Sequence, residues 1–201
     1  MENIPELVTD TATLKQALAA VSSSDFVAID TEFMRETTYY PELCLIQVCA
    51  NEVAFCIDPM SEGIDLTAFF EVLSDTSVMK VFHAGRQDLE IFVHLTGSVP
   101  APVYDTQIAA NFILEETDIG YANLVEKLCD KKLSKKFQVS DWSRRPLKDK
   151  QIEYAALDVE YLPVLYKELE SKIKAKRKIR LFRSEIEKLK DINEIYNPKN
   201  S

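Results

Sequence analysis

Glycine is scarce in this chain of 201 residues. There are four, Gly63, Gly85, Gly97 and Gly120, and no two lie close together. That spacing excludes a glycine-rich phosphate cradle, whether a P-loop or a dinucleotide fingerprint. Histidine is scarcer still, with only His83 and His94. A zinc site built on several histidines is excluded, and so is an H-E-x-x-H metalloprotease. The cysteines are Cys44, Cys49, Cys56 and Cys129, and no C-x-x-C spacing occurs. Three of them sit in apolar, strand-like runs and read as buried reduced thiols, not as a disulfide framework. No uninterrupted apolar run approaches the ~18 residues of a membrane span. The N-terminus has neither a basic region nor an apolar core, so no signal peptide is expected. Together these absences lead us to expect a soluble, cytoplasmic protein with no membrane partner. Positive charge is also short. The chain has 24 Lys+Arg against 33 Asp+Glu, a net charge of −9. On its face that balance argues against a nucleic-acid partner.

What is present suits one globular α/β domain. Residues 11–22 have helical spacing of Leu14, Ala17, Leu18 and Val21. Phe26 to Ile29 reads as a buried strand running into Asp30, Thr31 and Glu32. Strands are expected over 43–50 and 53–58, with Asn51-Glu52 as a two-residue hairpin link. Helix 66–73, strand 78–83 and helix 86–95 follow, the last stopped by Gly97. Val103-Tyr104 reads as a short strand, and 105–114 and 121–129 read as helices. A basic loop is expected over about 131–147 and a helix over 148–161. One long basic helix is expected over about 163–190, with Pro163 in its first turn. A polar tail occupies 191–201. Hairpin strands first, then strand–helix alternation, imply a mixed sheet.

Three acidic patterns carry chemistry. Asp30 and Glu32 are two apart after an apolar strand, so both carboxylates point to one face. Two such carboxylates repel unless a cation sits between them, and hard oxygen ligands suit Mg²⁺ or Mn²⁺. Asp88 lies at a helix start in His83-Ala-Gly-Arg-Gln-Asp88. Tyr154 and Asp158 are four apart and share one helical face. Ala155 and Ala156 between them leave room for something bulky to approach. Each pattern alone has a plain structural reading: a solvated strand end, a helix-dipole partner, a buried tyrosine beside a surface aspartate.

Their order and context are specific. D-x-E at a strand end, H-x-G-x-x-D-L at a helix start and Y-x-x-x-D late in a helix together resemble the DEDD superfamily of 3′-5′ exonucleases. The tyrosine places the resemblance in the DEDDy branch, and ribonuclease D is the family it looks most like. Ile29-Asp-Thr-Glu-Phe33, Tyr39-Tyr-Pro-Glu-Leu43, Leu45-Ile-Gln47, Ile57-Asp-Pro59, Val103-Tyr-Asp-Thr-Gln107 and Asp141-Trp-Ser-Arg-Arg-Pro-Leu147 resemble it too. The likeness spans roughly residues 5–170.

That resemblance implies a ribonuclease H-like fold in a single exonuclease domain over residues 1–190. It implies that Asp30, Glu32, Asp88 and Asp158 hold two divalent metal ions, Mg²⁺ or Mn²⁺. Tyr154 would hydrogen-bond the attacking water, and the product would be a nucleoside 5′-monophosphate. The implied substrate is single-stranded RNA at its 3′ end, in processing or turnover of tRNA or small RNA. Exonuclease action on DNA is the alternative, and a non-catalytic nucleic-acid-binding module is a remoter one. Long members of the family carry further helical domains, so a short form with the nuclease domain alone is expected. Grip would then come from the basic C-terminal helix or from a second copy of the chain in a homodimer.

Candidate substrate contacts follow from position. Phe33 and Met34 come straight after the acidic pair and would pack on the terminal base or sugar, or else fill the core. His83 would reach the terminal nucleotide, or else be satisfied by backbone. Arg144 and Arg145 in the basic loop are candidates for phosphate contact. Trp142 reads as the anchor of that loop, and Gln47, flanked by apolar residues, reads against a direct substrate role. Residues 131–190 hold 18 Lys+Arg and 9 Asp+Glu, whereas residues 1–130 hold 5 and 22. Lys131, Lys132, Lys135 and Lys136, with 172–183, would form a track for a single strand.

Overall fold

The computed structural model describes residues 6–19, 21–35, 40–114, 116–134 and 140–191. Lys135, Lys136, Tyr39 and the tail over 192–201 lie outside the described residues. Six strands form one mixed sheet: β1 (Glu6–Val8), β2 (Phe26–Met34), β3 (Glu42–Ala50), β4 (Val53–Ile57), β5 (Met79–Phe82) and β6 (Val103–Asp105). Their spatial order is β1-β4-β3-β2-β5-β6. β2, β3 and β4 are antiparallel neighbours, while β1/β4, β2/β5 and β5/β6 are parallel. Among the described residues eight α-helices flank the sheet: α1 (Thr11–Ala19), α2 (Thr67–Ser74), α3 (Arg86–Thr96), α4 (Thr106–Leu114), α5 (Tyr121–Cys129), α6 (Asp149–Glu160), α7 (Leu162–Ala175) and α8 (Ile179–Leu189).

Local chemistry accounts for the elements that build the site. The β3–β4 hairpin turns on Asn51 and Glu52, both at positive φ (49° and 66°), as a right-twisting two-residue link requires. α3 begins at Gly85. A Cβ there would lie 2.5 Å from Phe82 Cβ, so only glycine lets the chain turn this close to β5. The Gly85 N–H donates to Asp105 Oδ2 at 2.8 Å. α3 ends at Gly97 in the left-handed conformation, φ 72°. α6 buries Ile152, Ala155, Ala156 and Val159, a helical stripe at i, i+3, i+4 and i+7. Gln151 Oε1 accepts the Lys148 N–H at 3.1 Å and closes its N-terminus.

Three expectations need correction. β2 extends through Met34, so Asp30 and Glu32 lie inside a strand and not at its end. The short strand β1 joins the sheet edge, where none was expected. The long basic helix is two helices, with Arg177 at φ 55° between them. α7 buries Leu162, Leu165, Leu169 and Ile173 on one stripe. Phe182 comes nine residues after Ile173. At 100° per residue it would face the opposite side of a continuous helix, so the chain breaks to bury both. Lys176 Nζ and Lys178 Nζ donate to the Ile113 and Phe112 carbonyls at 3.2 and 2.7 Å, capping the C-terminus of α4.

Candidate active site

Asp30 and Glu32 stand two apart on β2, an interior strand of the sheet, so their side chains share a face. α6 crosses that face and contributes Tyr154 and Asp158. A cleft of about 260 Å³ opens where they meet. Asp30, Glu32, Tyr154 and Asp158 line it, with Thr31, Gly120, Tyr121, Ala122, Leu133 and Ser134. Asp88 comes from the first turn of α3 and is 6 % exposed. The Thr31 hydroxyl donates to Asp88 Oδ1, which fixes that carboxylate's orientation. The alternation of Asp30-Thr31-Glu32 carries the signal for this role, and it was not drawn from the sequence.

The electrostatics are those of crowded acids in a poorly solvated place. Burial pushes Asp30 well above the usual carboxylate range, and Asp88, Asp158 and Glu32 push the same way. Burial, then Asp158 and Asp88, push Glu32 up to about 9. Burial raises Asp158 to about 7. Asp88 rises to about 6 through burial, against the Thr31 hydrogen bond. Tyr154 is held above an ordinary phenol by burial and by Asp158, Glu32 and Asp30. The tyrosine thus faces the same carboxylates and stays protonated.

These acids fit a divalent cation. Asp30, Glu32 and Asp158 bring hard oxygen donors to one cleft and Asp88 acts on Asp30 from α3, and no Lys, Arg or His among the described residues forms an ion pair with any of them. Among the described residues no three His, Cys, Asp or Glu side chains stand close enough to share an ion as they are placed. Ligation would turn the carboxylates inward.

The expected substrate contacts divide. Phe33 and Met34 follow Glu32 past a register shift, where Glu32 pairs with Leu45 and Phe33 with Leu43. Both are half-buried, and Met34 packs on the cluster of Leu45, Cys56, Trp142 and Ile152. His83 commits one ring nitrogen, Nδ1, and its Nε2 is buried with no hydrogen-bond partner among the described residues. The Thr106 hydroxyl spends its proton on the Phe82 carbonyl at 3.0 Å, so it accepts from His83 Nδ1–H at 2.9 Å. Burial also favours the neutral ring.

Arg145 departs from the expectation most clearly. Nε and Nη2 grip both oxygens of Asp58 at 2.7 Å. Nη2 also reaches the Cys44 carbonyl, and Nη1 the Trp142 and Arg144 carbonyls. Cys44 is the residue skipped by the register shift, which frees its carbonyl from the ladder. All five donors are used, so none is left for phosphate. Arg144 is exposed and unburdened by such a network. Trp142 is 2 % exposed and lies 6.4 Å from the Tyr154 ring, so it anchors the loop as expected. Ala155 and Ala156 are packed against Leu45 and Cys56, so the sheet fills the room they leave.

Tyr121 is a cleft residue that the sequence did not signal. Its hydroxyl donates to the Leu157 carbonyl at 2.9 Å and accepts the Tyr161 N–H at 3.2 Å, pinning α5 to the end of α6.

The comparisons with known proteins agree with this geometry. A family model described as a 3′-5′ exonuclease matches residues 5–174. Ribonuclease D of Zymomonas mobilis is 44% identical over 195 residues, 96% of this chain and 50% of that protein. The chain spans about half the length of the curated relatives it matches. The crystal structure of Escherichia coli RNase D, described as an exoribonuclease involved in structured RNA processing, superposes with a TM-score of 0.83. It is 35% identical, covering 90% of this chain and 50% of its own. Brucella melitensis NrnC superposes at 0.78 with 30% identity, covering 94% and 90%, and has been solved with Mg²⁺ and with pGG. These likenesses bear out the ribonuclease H-like fold. With the family pattern covering most of its length, this chain belongs to the 3′-5′ exonuclease family, in its ribonuclease D-like group.

Proposed function

We propose that this chain is a metal-dependent 3′-5′ exoribonuclease that removes nucleoside 5′-monophosphates from RNA 3′ ends. The observation that carries the reading is three half-buried acids, Asp30, Glu32 and Asp158, lining one cleft with a protonated Tyr154, and a buried Asp88 near enough to raise the pKa of Asp30. Asp30, Glu32, Asp88 and Asp158 would hold the divalent ions, two in number and either Mg²⁺ or Mn²⁺. Bound there, such ions supply charge neutralisation for the phosphoryl oxygens and lower the cost of deprotonating water.

The residues of the chain do the rest. The Tyr154 hydroxyl hydrogen-bonds the attacking water and holds it in line with the terminal phosphodiester. Its raised pKa makes it an orienting phenol and not a phenolate base. Asp158, four residues on, faces the same water and favours loss of its proton. As the new P–O bond forms, the bond from phosphorus to the 3′ oxygen breaks, and the nucleoside 5′-monophosphate leaves. No covalent intermediate is required. Phe33 and Met34 are placed to pack on the terminal nucleoside, and Arg144 is the loop cation free to meet a phosphate. We assign the nuclease unit to residues 1–190.

Relatedness to ribonuclease D favours RNA over DNA. Likeness to NrnC, solved with pGG, over 94% of this chain supports very short oligonucleotides among the substrates. The test compares single-stranded RNA from two to twenty nucleotides, structured RNA with a 3′ overhang and matched DNA, with Mg²⁺ and with Mn²⁺. Stepwise 3′ shortening of RNA in preference to DNA is expected. Equal or faster shortening of DNA would overturn the assignment to RNA.

A further inference from the structure

Gln47 takes no part in the reaction as described. It lies in the middle of β3 and is fully buried. The sheet register pairs it directly with Asp30 on β2 and with Cys56 on β4. Directly paired residues of an antiparallel ladder present their side chains on one face, about 5 Å apart. Gln47 therefore stands on the face that carries Asp30 and Glu32. Its neighbours on that face, Leu45 and Cys56, pack against Ile152, Ala155 and Ala156 of α6.

Neither Nε2 nor Oε1 of its carboxamide has a hydrogen-bond partner among the described residues. A leucine or methionine would fill the same space without leaving two polar atoms unsatisfied. Buried amides normally find partners, so an orphaned one calls for a group that is not in its bonding position. Cys56 offers little, because a thiol bonds weakly and burial pushes its pKa up to about 12. The remaining cross-strand neighbour is the Asp30 carboxylate.

We propose that Gln47 is a positioning residue for Asp30. Its Nε2–H₂ donates to the ionised Asp30 carboxylate when that group turns to hold a divalent cation, and so fixes which oxygen faces the cation. The proposal rests on the metal-dependent reading above. A carboxamide suits the position: it donates to an anion yet adds no fifth negative charge to the cluster. It also carries no positive charge to compete with the cation. Hydrogen bonds of this kind, behind a ligating group, tune metal affinity in other sites by 10- to 100-fold.

Gln47→Met keeps the side chain's length and removes both polar atoms. Gln47→Asn keeps the amide but withdraws it by one methylene, and serves if the methionine variant fails to fold. Mn²⁺ and Mg²⁺ affinities of the full chain are measured by calorimetry without nucleic acid, alongside urea unfolding of the metal-free protein. Gln47→Met is expected to unfold at the same or higher urea concentration, yet to bind Mn²⁺ about 10- to 100-fold more weakly. Its hydrolysis rate should recover toward the wild-type value at saturating metal. An affinity within twofold of wild type, in whichever variant folds, would overturn the assignment. A variant that loses stability but keeps its metal affinity would make Gln47 a purely structural residue and overturn it too. Failure of the wild-type chain to bind either ion would instead bring down the metal-dependent reading, and this proposal with it.

Discussion

Replacing Asp30 by Asn should change two properties in opposite directions. The lost ligand should slow hydrolysis by at least about 100-fold. The metal-free protein should become more stable, because the acid crowded by Asp88, Asp158 and Glu32 is gone. Urea unfolding without divalent ions reads the second effect, and a lower midpoint would contradict it. Tyr154→Phe separates orientation from ligation. Turnover should fall about 10²-fold with metal affinity kept, and an unchanged rate would remove Tyr154 from the mechanism. Arg145 and Arg144 make a contrasting pair. Arg145→Ala strands Asp58, whose side chain is only 5% exposed, and should cost about 2–3 kcal/mol by chemical denaturation. Arg144→Ala should leave stability alone and raise KM. Adjacent arginines in one basic loop look alike in sequence. Only the fold reveals that one is consumed by a carboxylate 87 residues away.

Among the elements, the turn from β5 into α3 is the most demanding. Gly85→Ala would drive a Cβ against Phe82, shifting the first turn of α3 and Asp88 with it. A loss of about 1–3 kcal/mol and a weaker metal site are expected. A variant as stable as wild type would show that the turn gives way freely. This glycine belongs to the motif that made Asp88 recognisable, so the motif records packing as well as chemistry. Periodicity made most elements legible: α5 has the expected bounds, and the hairpin link sits on Asn51-Glu52. β1 was not legible, because three residues at a sheet edge carry too little pattern. The break between α7 and α8 was legible in principle, since Phe182 is half a turn out of phase with Ile173. Helical composition hid it. The candidate acids stood out by their order along the chain. The Thr31–Asp88 contact and the pairing of Gln47 with Asp30 did not, because they depend on neighbours across strands and elements.

Across the whole molecule, the net charge of −9 conceals a division of labour. The four candidate site acids would be offset by cations, while 131–190 is rich in Lys and Arg. That basic segment is less free than its composition suggests. Lys172 and Lys174 pair with Glu168 and Glu170, and Lys188 and Lys190 with Glu185 and Glu187. Arg177, Arg180 and Arg183 form no ion pair among the described residues and are exposed. RNA affinity should therefore fall with salt, with a log–log slope of only about −2 to −4.

The acids also set the molecule's pH response. The folded pKa values of Glu32, Asp158 and Asp88, about 9, 7 and 6, lie above their ordinary values. The folded state thus holds protons that the unfolded chain releases. This contribution is complete below about pH 4 and is lost as pH rises through 6 to 9. Metal-free Tm should fall over that range, and the Tm gain on adding Mg²⁺ or Mn²⁺ should grow. The central claim is that these carboxylates hold cations for 3′-5′ hydrolysis, and product analysis on a 3′-labelled RNA tests it most directly. The account expects labelled nucleoside 5′-monophosphate from wild type with Mg²⁺ or Mn²⁺, and essentially none with chelator or with Asp30→Asn. Release that persists in chelator, or at wild-type rate in Asp30→Asn, would contradict it.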